Sequence, residues 1–397
     1  MMFSRLILAA GTALMLSGCI SPVSYGDIRH SAYIADPRCD PQPGAAPSVN
    51  GSQLLFFVTS RLPDCRDADI KLLHHRGDHI RYGRFAEPRM VFRNGKQKLH
   101  TDIGLEAESD WWADLEAESN RRKGRVLLYV HGYRENFDST SKDTAQIARM
   151  TQFDGPVVSY TWPSQGKFLS YITDETNMYH DTANFRIFLR KLAERPWVKE
   201  IVIVSHSLGA RLVLPAIAHV DRTAARADSS NISNIILASP DIDRETFERD
   251  IASDTLSANR VAQGRHITLY VSRSDRALAA SRALHGYPRL GSPYCFDPFM
   301  AADLRARGLP ERCYVKSIAG LTVIDTTDVK RGDTGHSDFL RSAAACADFI
   351  NMIADQKSRP KRIPTLFENI FLLADEEKLS GDQQDQLCHR EKGMDKD

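Results

Sequence analysis

Between residues 125 and 325 short apolar runs alternate with longer amphipathic stretches, and this alternation constrains the fold more than any other feature of the chain. RVLLYV at 125–130, PVVSYTW at 156–162, EIVIVS at 200–205, NIILAS at 234–239, ITLYVS at 267–272 and KSIAGLTVID at 316–325 read as strands. Helical patterns at 140–152, 175–194, 208–220 and 276–284 separate them. Strands alternating with helices predict βαβ units, and so an α/β fold with a mostly parallel central sheet flanked by helices. The runs are continuously apolar because a parallel strand is buried on both faces.

The N-terminus follows a different logic. Residues 1–18 carry Arg5 and then an apolar run from Leu6 to Leu16. That run is far short of the roughly 20 residues a membrane-spanning helix needs, so it predicts a secretory signal. Leu16-Ser17-Gly18-Cys19 resembles the bacterial lipobox, with small residues for a signal-peptidase cleft and a thiol at Cys19 for lipidation. A cleaved signal with an incidental cysteine is the alternative. Ile20, not aspartate, follows Cys19, so the common inner-membrane retention signal is absent and a lipid-anchored outer-membrane location in the cell envelope is expected.

On this reading the chain divides into a lipoprotein signal peptide (1–18), a tether rich in Pro, Ser, Ala and Gly (19–50), a small β-rich N-terminal extension (51–123), the α/β domain (124–355) and a charged C-terminal tail (356–397). QLLFFVTS at 53–60 and parts of 79–93 read as strands of the extension, and the acidic stretch 105–122 with Trp111 and Trp112 as a helix leading in. One helix is expected in the tail.

Charge excludes a class of partner. Lys and Arg total 52 and Asp and Glu 51. Nucleic-acid binding calls for a basic excess or stripe, and none is seen. Removing residues 1–18 takes Arg5 with it and leaves 51 basic against 51 acidic residues. Membrane attachment is therefore expected to rest on acyl chains at Cys19 and not on a basic patch. Of the other cysteines, sequence neighbourhood suggests Cys39–Cys65 and Cys295–Cys313, which an oxidising compartment permits. Cys346 lies on an apolar helical stripe and reads equally as a disulfide partner, with Cys388 the remaining cysteine, or as a buried free thiol. His74, His75 and His79 lack a supporting carboxylate framework, so no metal is expected, and no cofactor is implied.

Ser205-His206-Ser207-Leu208-Gly209 falls between the strand EIVIV and a helix, the setting of a nucleophile elbow. Small residues are needed two before and two after the nucleophile, and Ser205 stands where glycine is usual. A serine hydroxyl needs a base, and the base needs an orienting acid. Asp275 follows the strand ITLYVS, and His336 lies in a loop after the last strand, ahead of FLRSAAACADFI. The order Ser207, Asp275, His336 is that of α/β-hydrolases. Asp241 and Asp243, one strand earlier than Asp275, are the alternative acid, or else loop-shaping and helix-capping groups. His206 reads as packing beside the nucleophile. The backbone N–H groups of Leu208 and Tyr133, the latter after His131-Gly132, are the expected oxyanion donors.

FFVTSR, YVHGYRENF, FDGPVVSYTWPSQG, IVSHSLGARL, LASPDID and YVSRSDRAL-SRALHG resemble pieces of a bacterial esterase-like family of unknown function within the α/β-hydrolases. The likeness covers 53–60 and 125–290, with His336 completing the set. It implies the fold and a serine hydrolase site, and it names no substrate. Ester cleavage through a Ser207 acyl-enzyme is the expected activity, on a small-molecule or lipid acyl substrate. Trp162, Phe168, Tyr171 and Tyr179 are candidates for an acyl pocket wall or for core. An envelope amidase or peptidase, and a non-catalytic binding lipoprotein on the same fold, are the other classes.

Overall fold

The apolar runs become adjacent strands because each has apolar neighbours to meet on both faces. The computed structural model describes residues 37–45, 49, 54–93, 95–167, 169–223, 231–329, 335–354 and 362–373. The expected signal peptide, the Cys19 lipidation site, Phe168 and Cys388 lie outside these residues.

The strands are β1 (Leu54–Asp64), β2 (Lys71–Ala86), β3 (Arg89–Arg93), β4 (Lys96–His100), β5 (Ile103–Glu106), β6 (Arg125–Val130) and β7 (Val157–Thr161). They continue with β8 (Glu200–His206), β9 (Ile232–Ala238), β10 (His266–Val271), β11 (Leu321–Asp325), β12 (Arg362–Pro364) and β13 (Ile370–Leu373). The principal helices are α1 (Glu108–Asn120), α2 (Phe137–Thr151), α3 (Tyr171–Ala193), α4 (Ala210–Thr223), α5 (Arg276–His285), α6 (Pro298–Ala306) and α7 (Ala343–Ala354). One 11-stranded sheet runs β12-β13-β11-β10-β9-β8-β6-β7-β1-β2-β5, and β3 and β4 form a separate hairpin. The seven pairings from β1–β7 through β11–β13 are parallel.

Alternation along each strand divides the core in two. Val126, Leu128 and Val130 of β6 join Ile201 and Ile203 of β8 on one face. Leu127 and Tyr129 join Val202 and Val204 on the other. Helices α3 and α4 cover the first face, with Phe185, Phe188, Leu212 and Ile217 fully buried. Helices α2 and α7 cover the second, with Ile147 and Phe349.

The β-rich extension is continuous with the main sheet. β1 pairs in parallel with β7, and β2 and β5 extend the edge antiparallel. Trp111 of α1 packs edge-on against Phe56, fixing that helix on β1. Of the tail, only residues 362–373 lie among the described residues. Residues 362–373 contain no helix but an antiparallel pair, β12 and β13, with β13 added in parallel to β11. The IFLL run has two apolar side chains to bury, Ile370 and Leu373, and an open sheet edge offers the place. Disulfides join Cys39 to Cys65 and Cys295 to Cys313. Cys346 is buried and is also disulfide-bonded, to a partner outside the described residues, which sets aside the free-thiol alternative.

Candidate active site

β8 ends at His206, and the chain turns at once through Ser207–Gly209 into α4. Ser207 has φ 51°. A non-glycine residue enters that left-handed region at a cost of about 1–3 kcal/mol and stays only where its surroundings hold it. They do so by close approach. A Cβ on Gly209 would lie 2.6 Å from the His131 carbonyl oxygen and 2.9 Å from Ser205 Oγ. A Cβ on Gly132 would lie 2.8 Å from Ser207 Cβ. The glycines therefore let the 131–133 loop, which carries Tyr133, press against the turn. Leu208 is wholly buried at the start of that turn.

The 131–133 loop is held from below. The His131 ring lies parallel to the Trp162 ring, with centroids 4.9 Å apart. Trp162 Nε1 donates to the His131 carbonyl oxygen at 3.0 Å. Burial drives the His131 pKa well below the ordinary histidine value, so the ring is neutral. Arg61, fully buried at the end of the FFVTSR segment, donates to the Ser164 and Glu135 carbonyl oxygens at 3.0 and 2.8 Å. Asp174 accepts from Arg134 N–H and Gln165 N–H, at 3.2 and 2.6 Å, tying the same two loops to α3.

His336 and Asp275 meet. His336 Nδ1 lies 2.7 Å from Asp275 Oδ2. The other carboxylate oxygen, Oδ1, accepts from Leu278 N–H at 2.9 Å and caps α5. One oxygen thus fixes the acid on its helix while the other faces the imidazole. Burial pulls the His336 pKa down, but the charge and hydrogen bond of Asp275 outweigh it, and the pKa stands above the usual histidine value.

His206 ties the two halves together. Its Nε2 lies 2.9 Å from the His336 carbonyl oxygen. The two rings sit 4.8 Å apart, with Phe339 5.4 Å from the His206 ring. Burial drives His206 down to about 3. The ring is therefore neutral, and the carbonyl partner requires the proton on Nε2. Among the described residues the Ser207 hydroxyl has no hydrogen-bond partner. Such serine–base contacts are often long before substrate binds.

The alternative acids are engaged elsewhere. Asp241 Oδ1 accepts from Arg289 Nε and Ser281 Oγ, each at 2.7 Å, and Oδ2 accepts from Tyr171 Oη at 2.6 Å. Burial raises its pKa, but Arg289 and Arg211 outweigh that and hold it below the carboxylate range. The Asp241 backbone N–H donates to the Ser207 carbonyl oxygen at 3.0 Å, so this ionic cluster braces the turn from beneath. Asp243 caps the short helical turn Arg244–Thr246 through Thr246 N–H, at 2.7 Å. Nothing in the sequence near Asp241 announces its arginines, because Arg211 and Arg289 arrive from other elements.

Trp162 is fully buried beneath His131, so it is core and not an open pocket wall. Tyr171 is tied to Asp241, and Tyr179 is exposed. His74 and His75 lie ring to ring at 4.2 Å, while His79 pairs with Asp40 and Asp78. Among the described residues no group of three ligating side chains converges on a metal position.

A mostly parallel sheet, a serine held at positive φ between strand and helix, and an Asp–His pair beyond later strands define the class of α/β-hydrolases. The chain belongs to the family described as alpha/beta hydrolase of unknown function (DUF900), whose profile matches residues 107–355. No curated protein matches. Among solved structures, similarity is found to a predicted CIB-like hydrolase from Thermoplasma acidophilum, at 13% identity over 69% of this chain and 97% of that one, with a TM-score of 0.30. An esterase from the archaeon Pyrobaculum calidifontis matches at 10% identity over 68% of this chain and 82% of that one, with a TM-score of 0.29.

Proposed function

We propose that the protein is a serine hydrolase that cleaves carboxylic esters through an acyl-enzyme on Ser207. The observation that carries this reading is the 2.7 Å contact between His336 Nδ1 and Asp275 Oδ2, with Ser207 held at φ 51° nearby in the fold. His336 takes the Ser207 proton as the hydroxyl attacks the acyl carbon. The Ser207 Oγ–carbon bond forms, and the carbonyl electrons move to oxygen. The Leu208 and Tyr133 N–H groups receive that oxyanion, each worth about 10²–10³ in rate. Collapse expels the alcohol, which leaves with the proton from His336. Water then repeats the cycle and releases the acid.

The protein acts, on this reading, as a bacterial lipoprotein anchored through Cys19 in the cell envelope at the outer membrane. Its substrate is a small-molecule or lipid acyl ester. The test is a nitrophenyl-ester series of increasing chain length set against peptide amides, with Ser207→Ala as control. Ester turnover lost in Ser207→Ala supports the reading. Turnover of amides alone assigns an amidase, and binding without turnover of either series assigns a non-catalytic lipoprotein.

A further inference from the structure

The chain as a whole is balanced in charge, but one surface is not. Residues 273–313 hold Arg273, Arg276, Arg282, Arg289, Arg305, Arg307 and Arg312 against Asp275, Asp297, Asp303 and Glu311. The acids are engaged. Asp275 faces His336, Asp297 caps α6, Asp303 pairs with Arg307, and Glu311 pairs with Arg305. Arg289 is buried on Asp241, and Arg312 pairs with Asp325 and Asp328. Arg273, Arg276 and Arg282 make no ion pair among the described residues. Arg273 and Arg282 both sit on the Tyr294 ring, at 4.8 and 3.6 Å from its centroid. Two like charges gathered on one ring without a carboxylate leave the countercharge to come from outside the fold.

The same surface exposes large apolar side chains. The outward face of α5 runs Arg276, Ala279, Ala280, Ala283 and Leu284, and continues to Tyr287. Tyr287 meets Phe296, their centroids 6.0 Å apart, which joins that face to the segment closed by Cys295–Cys313. Leu284 is 55% exposed, Phe296 54% and Phe299 84%. An apolar face rimmed by unpaired arginines has the composition that seats in the headgroup region of a bilayer, apolar groups inward and guanidinium groups on phosphate. We propose that this face, from α5 through α6, docks on an anionic phospholipid surface. The contact is separate from any anchor at the N-terminus, and it stands apart from the reading of Ser207. Because Asp275 caps the start of α5, docking sets the rim of the site against the membrane.

The experiment uses the full chain carrying Phe296→Trp, with vesicles of phosphatidylglycerol and phosphatidylcholine bearing brominated acyl chains. Trp111, Trp112, Trp162 and Trp197 are all buried, so the new indole reports this face even if the N-terminus is membrane-bound. Quenching with a blue shift in the anionic vesicles is expected, reduced by salt. Arg276→Gln or Arg282→Gln should weaken binding about fivefold each, the contribution typical of one arginine near an anionic surface. Phe299→Trp serves as a second probe should the first variant fail to fold. Emission unchanged from buffer at both positions overturns the proposal. So does equal quenching by pure phosphatidylcholine, and so does a dimer in sedimentation that covers the face.

Discussion

The His206 ring donates from Nε2 to the His336 carbonyl oxygen at 2.9 Å, so the residue next to Ser207 holds the backbone of the histidine proposed to deprotonate it. His206→Phe keeps the ring and removes the donor. A buried hydrogen bond lost this way costs about 1–2 kcal/mol, which is roughly tenfold in rate if it acts on base placement. kcat should fall by about that factor with KM little changed, and His206→Gln should recover part of it. An unchanged kcat in His206→Phe would remove the positioning role while leaving Ser207 untouched.

Ser207→Ala should abolish turnover and labelling by a fluorophosphonate probe. The serine is also strained, and alanine keeps the left-handed cost, so the thermal midpoint should move little. Labelling that persists in Ser207→Ala would place the nucleophile elsewhere.

The pH dependence follows from the raised pKa of His336. A raised pKa keeps the imidazole protonated to a higher pH than a free histidine, near ~6.5. The base form therefore appears late, and kcat/KM should rise with pH through a midpoint above that value. Asp275→Asn removes the largest raising influence and leaves the burial that lowers it. The midpoint of its residual activity should move down. A wild-type acid limb at pH 5 would contradict His336 as base.

Ser205 sits fully buried with its Oγ unpartnered. A buried hydroxyl without a partner costs about 1–3 kcal/mol. Ser205→Ala should therefore raise the thermal midpoint by a few degrees. Gly209→Ala should lower it, since its Cβ meets backbone oxygens of His131 and Val130 that cannot move aside. Differential scanning calorimetry of the pair reads both signs.

What the sequence shows well is what depends on local order. Apolar runs such as LLYV in β6 and IVIV in β8 disclose parallel strands because both faces are buried. Ser207, Asp275 and His336 stand out as candidates because each comes in a segment that follows a strand. Long-range partners are not readable in that way. Arg61 lies in β1 yet holds the loop after Tyr133, and Arg211 and Arg289 come to Asp241 from α4 and from beyond α5. Net charge misleads for a related reason. A balanced total hides the unpaired arginines around Tyr294, which only the fold separates from their acids. The tail strand β13 is not legible in the sequence, because a short apolar run does not say which sheet edge is open.

Asp241 and Asp275 are the same residue type at comparable strand ends, and their surroundings separate them. Asp241→Asn leaves Arg289 buried without a carboxylate, while Arg211 keeps its ion pair with Glu175. Breaking one partner of such a cluster typically costs about 3–5 kcal/mol, so the thermal midpoint should fall by about 10 °C. Molecules that remain folded should still label at Ser207. Asp275→Asn has the opposite signature. Asparagine caps a helix about as well as aspartate, so α5 should keep its start and the midpoint should change little. The imidazole, however, loses the carboxylate that orients it, and kcat should fall by about 10⁴. Thermal midpoints and turnover per fluorophosphonate-titrated site, measured on both variants, distinguish the roles. If Asp241→Asn lost turnover per titrated site while Asp275→Asn kept it, the acid would belong to the earlier strand.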